Sequence, residues 1–247
     1  MSLPCFVVNL EDSPENFEKQ KPFLVEAGLN PIRFIGVDAR KDEHLDYMEN
    51  VSSLCALTCP KTVMGCGLSH ILLAQHLKDI GVPLALVLED DAFPKVSQLL
   101  KHVQIALNEV PEDWDILKLH CSFCKDDTIN SKGGSTAAYL INSRGIQKLS
   151  NLLLNFHIDV QLNVNEKIKI YKSKYNLFWT DEISSTNRGS NSRWLDMRGD
   201  LSGETTLSQG MTYKIFKIPG TAIEFETWQI LIILLLLFLL FQCIRRT

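Results

Sequence analysis

The chain has 247 residues, 45% apolar and 22% charged, which is ordinary for a globular protein and enough for one large α/β domain or two small ones. A formal net charge of −4 leaves no global basic field, so a nucleic-acid partner is not expected. The 7 cysteines lack a disulfide-scaffold spacing, and their odd count points to mostly reduced thiols.

Phe6–Leu10 is a short β-branched run that reads as a buried strand. Ser13 and Pro14 then open a helix with Phe17, Phe23, Leu24 and Ala27 on one face, and Gly28 ends it. Ile32–Val37 is a second strand, and 38–60 is polar and irregular with a short helix expected around Glu43–Met48. A helix follows over Gly65–Lys78, broken at Gly81-Val-Pro83. Leu84–Leu88 is a continuous apolar run that stops abruptly at Glu89-Asp90-Asp91, the pattern of a buried parallel strand with function at its carboxyl end.

Beyond it, Val96–Leu107 reads as a helix, Asp115–Leu119 and Ala137–Ile141 as strands, and Arg144–Leu154 as a helix. Phe178 and Trp179 lie at the end of a last strand, and 182–212 is a Ser/Gly/Asn/Thr-rich loop region. Strands alternating with helices give an α/β fold with a mostly parallel central sheet.

From Trp228 to Ile244 there is no charge, and a helix of that length covers roughly 25 Å, close to a hydrocarbon core. Trp228 suits one interface and Arg245 and Arg246 the other, so one transmembrane helix is expected, with the lipid bilayer as a partner. The opening Met1–Leu10 lacks the basic region and long apolar core of a signal peptide. The expectation is a single-pass, C-terminally anchored membrane protein with its large domain on the cytosolic side. The sequon at Asn50 would matter only for a lumenal domain.

Three adjacent carboxylates at a strand end repel one another, and a divalent cation compensates them. Oxygen donors suit manganese or magnesium, and alternate residues of an extended segment share a direction, so Glu89 and Asp91 can address one metal. The competing reading is a solvated acidic turn. His70, after Ser69, is a ligand, a phosphate contact or a packing residue. Asp159 is a general base or a helix cap. Cys55 with Cys59 and Cys121 with Cys124 have spacings that would suit a four-thiolate zinc site, against the plainer reading of small buried hydrophobes.

Taken together, Val7–Pro14, Arg33–Ala39, Gly65–His70, Leu86–Ala92 and Ala138–Ser143 resemble, in order, the segments of glycosyltransferase family 25, the lipooligosaccharide and procollagen galactosyltransferase-like group. Trp114–Leu119 and His157–Asp159 are similar to later family segments, and the resemblance covers roughly residues 5–195.

The resemblance implies a GT-A-like nucleotide-sugar-binding fold over 1–212, then a linker over 213–227 and the membrane helix over 228–244. It further implies transfer of a hexose, galactose or glucose, from a UDP-sugar to a glycan, glycolipid or glycoprotein acceptor, with inversion. Manganese or magnesium would be held by Glu89 and Asp91. Asn9, Asp38, Ser69, His70, Glu89 and Asp90 would bind the donor, and Asp159 would be catalytic. The chain departs from the family where arginines usually follow the opening Asn-Leu: Glu15, Asn16 and Glu18 stand there instead. The alternative is therefore a catalytically inactive, membrane-tethered binding protein on the same fold.

Overall fold

The computed structural model describes residues 3–41, 47–121, 135–181 and 214–246. Its centre is a 6-stranded sheet built from β1 (Cys5–Asn9), β2 (Pro31–Ile35), β3 (Leu84–Glu89), β5 (Ile116–Lys118), β6 (Ala138–Asn142) and β7 (Ile170–Lys172), in the order β2-β1-β3-β6-β5-β7. β1 pairs in parallel with β2 and β3, and β5 with β7, while β6 runs antiparallel to both its neighbours. The sheet is thus mostly parallel, as expected. The remaining short strands form two small antiparallel pairs: β4 (Ala92–Pro94) with β8 (Phe178–Thr180), and β9 (Lys214–Lys217) with β10 (Glu224–Glu226).

Helices cover both faces, which is why Ala85 to Leu88 are all buried and β3 shows no polar alternation. Ala85, Val87, Tyr139, Ile141 and Ile116 pack beneath α3 (Lys61–Asp79), α5 (Ser143–Leu149) and α6 (Ile158–Val164). Leu86, Leu88, Ala138, Leu140 and Leu117 pack on the other face against α1 (Pro14–Glu26) and α4 (Leu99–Glu109). Leaving β1, the chain crosses one face through α1 to reach β2, and then the opposite face through α3 to reach β3. The carboxyl ends of β1 and β3 therefore flank the point where winding reverses, the place where open α/β sheets bind ligands.

Several boundaries differ from expectation. α3 starts at Lys61, a turn earlier than Gly65, with Pro60 at the N-cap position and no side-chain cap. A short α2 (Ser53–Thr58) precedes it, with Ser52 Oγ accepting from the Cys55 N–H. The helix expected over Arg144–Leu154 stops at Leu149, and the chain turns to place α6 separately. The expected helix at Glu43–Met48 falls largely on 42–46, and the loop over 182–212 falls wholly outside the described residues. The stretch expected as a linker carries the β9–β10 hairpin, whose β9 lies beside α2 and α3.

The C-terminal run forms α7 (Thr227–Arg246). Among the described residues, however, no helix is long and apolar enough to cross a membrane. The transmembrane span expected over Trp228–Ile244 is not found as such. What is present is an all-round apolar rod: among the described residues, every side chain from Leu231 to Phe241 is between 40% and 60% exposed.

Candidate active site at the carboxyl edge of the sheet

An open cleft with about 730 Å³ of empty space, its mouth included, lies where β1 and β3 end. Val8, Asn9 and Leu10 form one wall, Glu89, Asp90 and Asp91 the next, and Asp38, Ala39 and Arg40 from the loop after β2 a third. α3 closes it with Lys61, Thr62, Gly65, Cys66, Ser69 and His70, so the amino end of a 19-residue helix opens toward the cavity. A Cβ on Gly65 would sit 2.5 Å from the Val37 carbonyl, so only glycine lets α3 approach this loop so closely.

The cleft thus gathers Asn9, Asp38, Ser69, His70, Glu89, Asp90 and Asp91 from the expected set. Their partners separate their roles. Ser69 Oγ donates to the Gly65 carbonyl and accepts from the Val37 N–H at 2.8 Å, so its hydroxyl fastens the loop to the helix. Asn9 donates to Asp90 Oδ2 at 2.6 Å and to the Ser13 carbonyl at 2.7 Å, and Asn16 reaches the same Asp90 oxygen at 3.3 Å. Burial raises the Asp90 carboxyl above its ordinary range, more than these two amides lower it. Asp38 is gripped by Arg40 through Nε and Nη2, both at 2.7 Å, and this pairing lowers the Asp38 carboxyl despite its burial.

Glu89 is the hinge between cleft and interior. Its Oε1 accepts from Thr136 Oγ1 at 2.8 Å and lies 3.4 Å from His70 Nε2. Behind Thr136 sits Asp159, whose Oδ1 accepts from the Thr136 N–H at 2.6 Å. Desolvation opposes charge on Asp159, but His157, Lys118 and the Thr136 bonds outweigh it and leave the carboxyl below its usual range. Asp159 does not line the cleft. His157, not Asp159, caps α6, and Thr136 links the Asp159 carboxylate to Glu89 by one hydrogen bond to each.

Lys118, at the end of β5, and His120 just after it are also buried. His120 donates from Nδ1 to the Phe178 carbonyl at 3.0 Å, and burial holds the imidazole below its ordinary value, hence neutral.

The three consecutive carboxylates do not converge on one another. The described side chains that bring metal-ligand atoms within 4.8 Å of each other are Cys66, His70 and Glu89. The four-cysteine zinc site is not built: Cys121 is disulfide-bonded and so offers no thiolate, and Cys124 lies outside the described residues. Cys55 and Cys59 are both buried, with their sulfurs 2.7 Å apart.

Arg40, Lys61, Asn16, Cys66 and Thr136 are the site residues that sequence reasoning passed over. Cys66 and His70 carried a readable signal, because residues four apart on a helix share a face. Arg33 answers the missing arginines: it donates to Asn9 Oδ1 at 2.6 Å and to the Leu10 carbonyl at 2.9 Å, bracing the opening turn from a neighbouring strand.

The profile of glycosyltransferase family 25 (LPS biosynthesis protein) matches residues 2–164. The chain belongs to glycosyltransferase family 25. The family resemblance carried by the ordered segments is thereby established.

Among solved structures, the family-25 chain is similar to a glycosyltransferase involved in the glycosylation of the major capsid of PBCV-1, with 9% identity, a TM-score of 0.36, and coverage of 60% of this chain and 63% of that one. It is also similar to A197 from STIV, with 12% identity, a TM-score of 0.45, and coverage of 73% of this chain and 86% of that one. The chain therefore spans less than two thirds of the length of the first. No curated protein matches it.

Proposed function

We propose that this family-25 chain transfers a hexose, galactose or glucose, from a UDP-sugar bound in the cleft to a hydroxyl of a glycan, glycolipid or glycoprotein, with inversion. The observation that carries the reading is the pairing, in one cleft at the winding reversal of the sheet, of an acidic edge with cationic groups. Arg40, Lys61 and the amino end of α3 supply positive potential for a diphosphate.

Manganese or magnesium belongs to the same proposal. Glu89 and Asp91, both cleft-lining oxygen donors of the kind hard cations take, would hold it. If bound there, such an ion would supply charge neutralisation for a departing nucleoside diphosphate. The chain's own part is to orient: Asn9 and Asn16 fix Asp90, Thr136 fixes Glu89, and the Arg40–Asp38 pair shapes the loop above α3.

α7 adds the second half of the proposal. Eleven successive exposed apolar side chains, Leu231 to Phe241, are costly in water, and insertion into a bilayer removes that cost. The enzyme would then work beside a membrane, where a lipid-linked acceptor is concentrated.

Calorimetry of UDP with the full chain in detergent tests the donor site. UDP is expected to bind in a metal-dependent way, and Lys61→Ala is expected to weaken it by about 10-fold, the loss of one phosphate contact. A folded chain that binds no UDP at any metal concentration overturns the donor-site reading and leaves the inactive, tethered alternative.

A further inference from the structure

His70 is 1% exposed, yet its Nε2 makes no hydrogen bond. The other ring nitrogen, Nδ1, faces the Tyr139 hydroxyl at 3.0 Å. A buried imidazole nitrogen left without a hydrogen bond is destabilising, so the arrangement calls for a ligand. Nε2 points to where two other donors converge: Glu89 Oε1 is 3.4 Å away, and the Cys66 thiol completes a set of ligand atoms all within 4.8 Å. The 3.4 Å pair matches the roughly 3.3–3.8 Å edge of a tetrahedron about one ion with bonds of roughly 2.0–2.3 Å, and a small side-chain shift brings the sulfur to the same ion.

We infer that Cys66, His70 and Glu89 form a binding site for a zinc-class divalent ion, on the inner wall of the cleft. Cys66 and His70 lie four residues apart on the first turns of α3 and so share its inward face, while Glu89 ends β3 opposite them. The supporting groups are in place. Thr136 fixes the carboxylate at 2.8 Å, and the Tyr139 oxygen can accept a hydrogen bond from Nδ1–H, which sets the tautomer that leaves Nε2 as ligand. Binding replaces the thiol proton: the Cys66 S–H bond breaks, the S–metal bond forms, and the proton leaves to solvent.

Thiolate and imidazole donors discriminate against magnesium and manganese and in favour of zinc or cobalt. Glu89 accordingly stands between two unlike donor sets, Asp91 on the acidic edge and Cys66 with His70 within. All three inner ligands line the cleft, so a three-ligand ion would keep a coordination position for a water or an anionic oxygen of a bound molecule. That last role rests on the donor-site reading; the ion site itself does not.

Cobalt(II) titration of the full chain in detergent, under reducing conditions, tests the site by absorption spectroscopy. A thiolate-to-cobalt charge-transfer band with tetrahedral d–d bands is expected at one equivalent, displaced by zinc and not by magnesium. Cys66→Ser is expected to remove the charge-transfer band, and His70→Gln to weaken binding at least about 10-fold. A Cys55→Ser/Cys59→Ser double variant and Asp91→Asn are each expected to keep it. Absence of the band in the folded wild-type chain overturns the site, as does its loss in the Cys55/Cys59 variant with retention in Cys66→Ser. UDP binding measured on the same samples separates failure of this site from failure of the donor reading.

Discussion

Burial pushes the Lys118 ammonium down to about 8, against the pull of the nearby Asp159 carboxylate. The unfolded chain keeps that amine near 10.5, so between about 8 and 10.5 it binds more protons than the folded one. Folding stability from this group therefore rises with pH across that window. Denaturant titrations at stepped pH are expected to show the rise in the wild type and to lose it in Lys118→Met; an unchanged slope in the variant would place the effect elsewhere.

Thr136 gives a second test at this scale. Thr136→Val keeps shape and burial but removes the hydroxyl that holds Glu89 at 2.8 Å. Transfer is expected to slow by roughly 10-fold with the thermal midpoint little moved, since the lost bond positions a cleft residue rather than the core. A wild-type rate in the variant would mean that Glu89 needs no such support.

At the scale of elements, the long apolar and periodic runs were legible in advance. β1, β3, α1 and most of α3 fall where their sequence patterns place them. The acidic edge and the seven expected cleft residues are together because strand ends meet at the winding reversal, which the alternation of strands and helices already implies.

What could not be read were contacts set by tertiary approach. β5 and β7 keep only three residues each, too few for a periodicity, and β6 runs antiparallel without a local signal for direction. The link from Asp159 to Glu89 was not legible either, because its middle member, Thr136, is 23 residues from Asp159 and has no sequence signature.

Gly65 shows how tightly elements close on the site. In Gly65→Ala, the new methyl would press on the Val37 carbonyl, which belongs to backbone and cannot swing aside. A loss of about 1–3 kcal/mol is expected in denaturant unfolding, with weaker UDP binding as α3 is pushed from the loop. Unchanged stability and binding would show that this approach does not shape the cleft.

For the whole molecule, the account joins a sheet-edge cleft to a helix whose apolar side chains, Leu231 to Phe241, are exposed among the described residues. Flotation of the full chain with liposomes is expected to bring it to the lipid fraction. Leu235→Arg should cut that association, since an arginine at the centre of an inserted helix costs about 2.5–3.5 kcal/mol. A wild-type chain that stays in the aqueous fraction would remove the bilayer from the account. Occupancy of the sequon at Asn50 in microsomes would then report which side the domain faces.

The central claim is tested most directly by turnover. UDP release from UDP-galactose and UDP-glucose would be followed with the full chain in detergent, with and without manganese, beside Asp91→Asn. The account predicts metal-dependent release from one of these donors, lost in the folded variant. A folded wild-type chain that releases no UDP from either donor, with or without the metal, would contradict it.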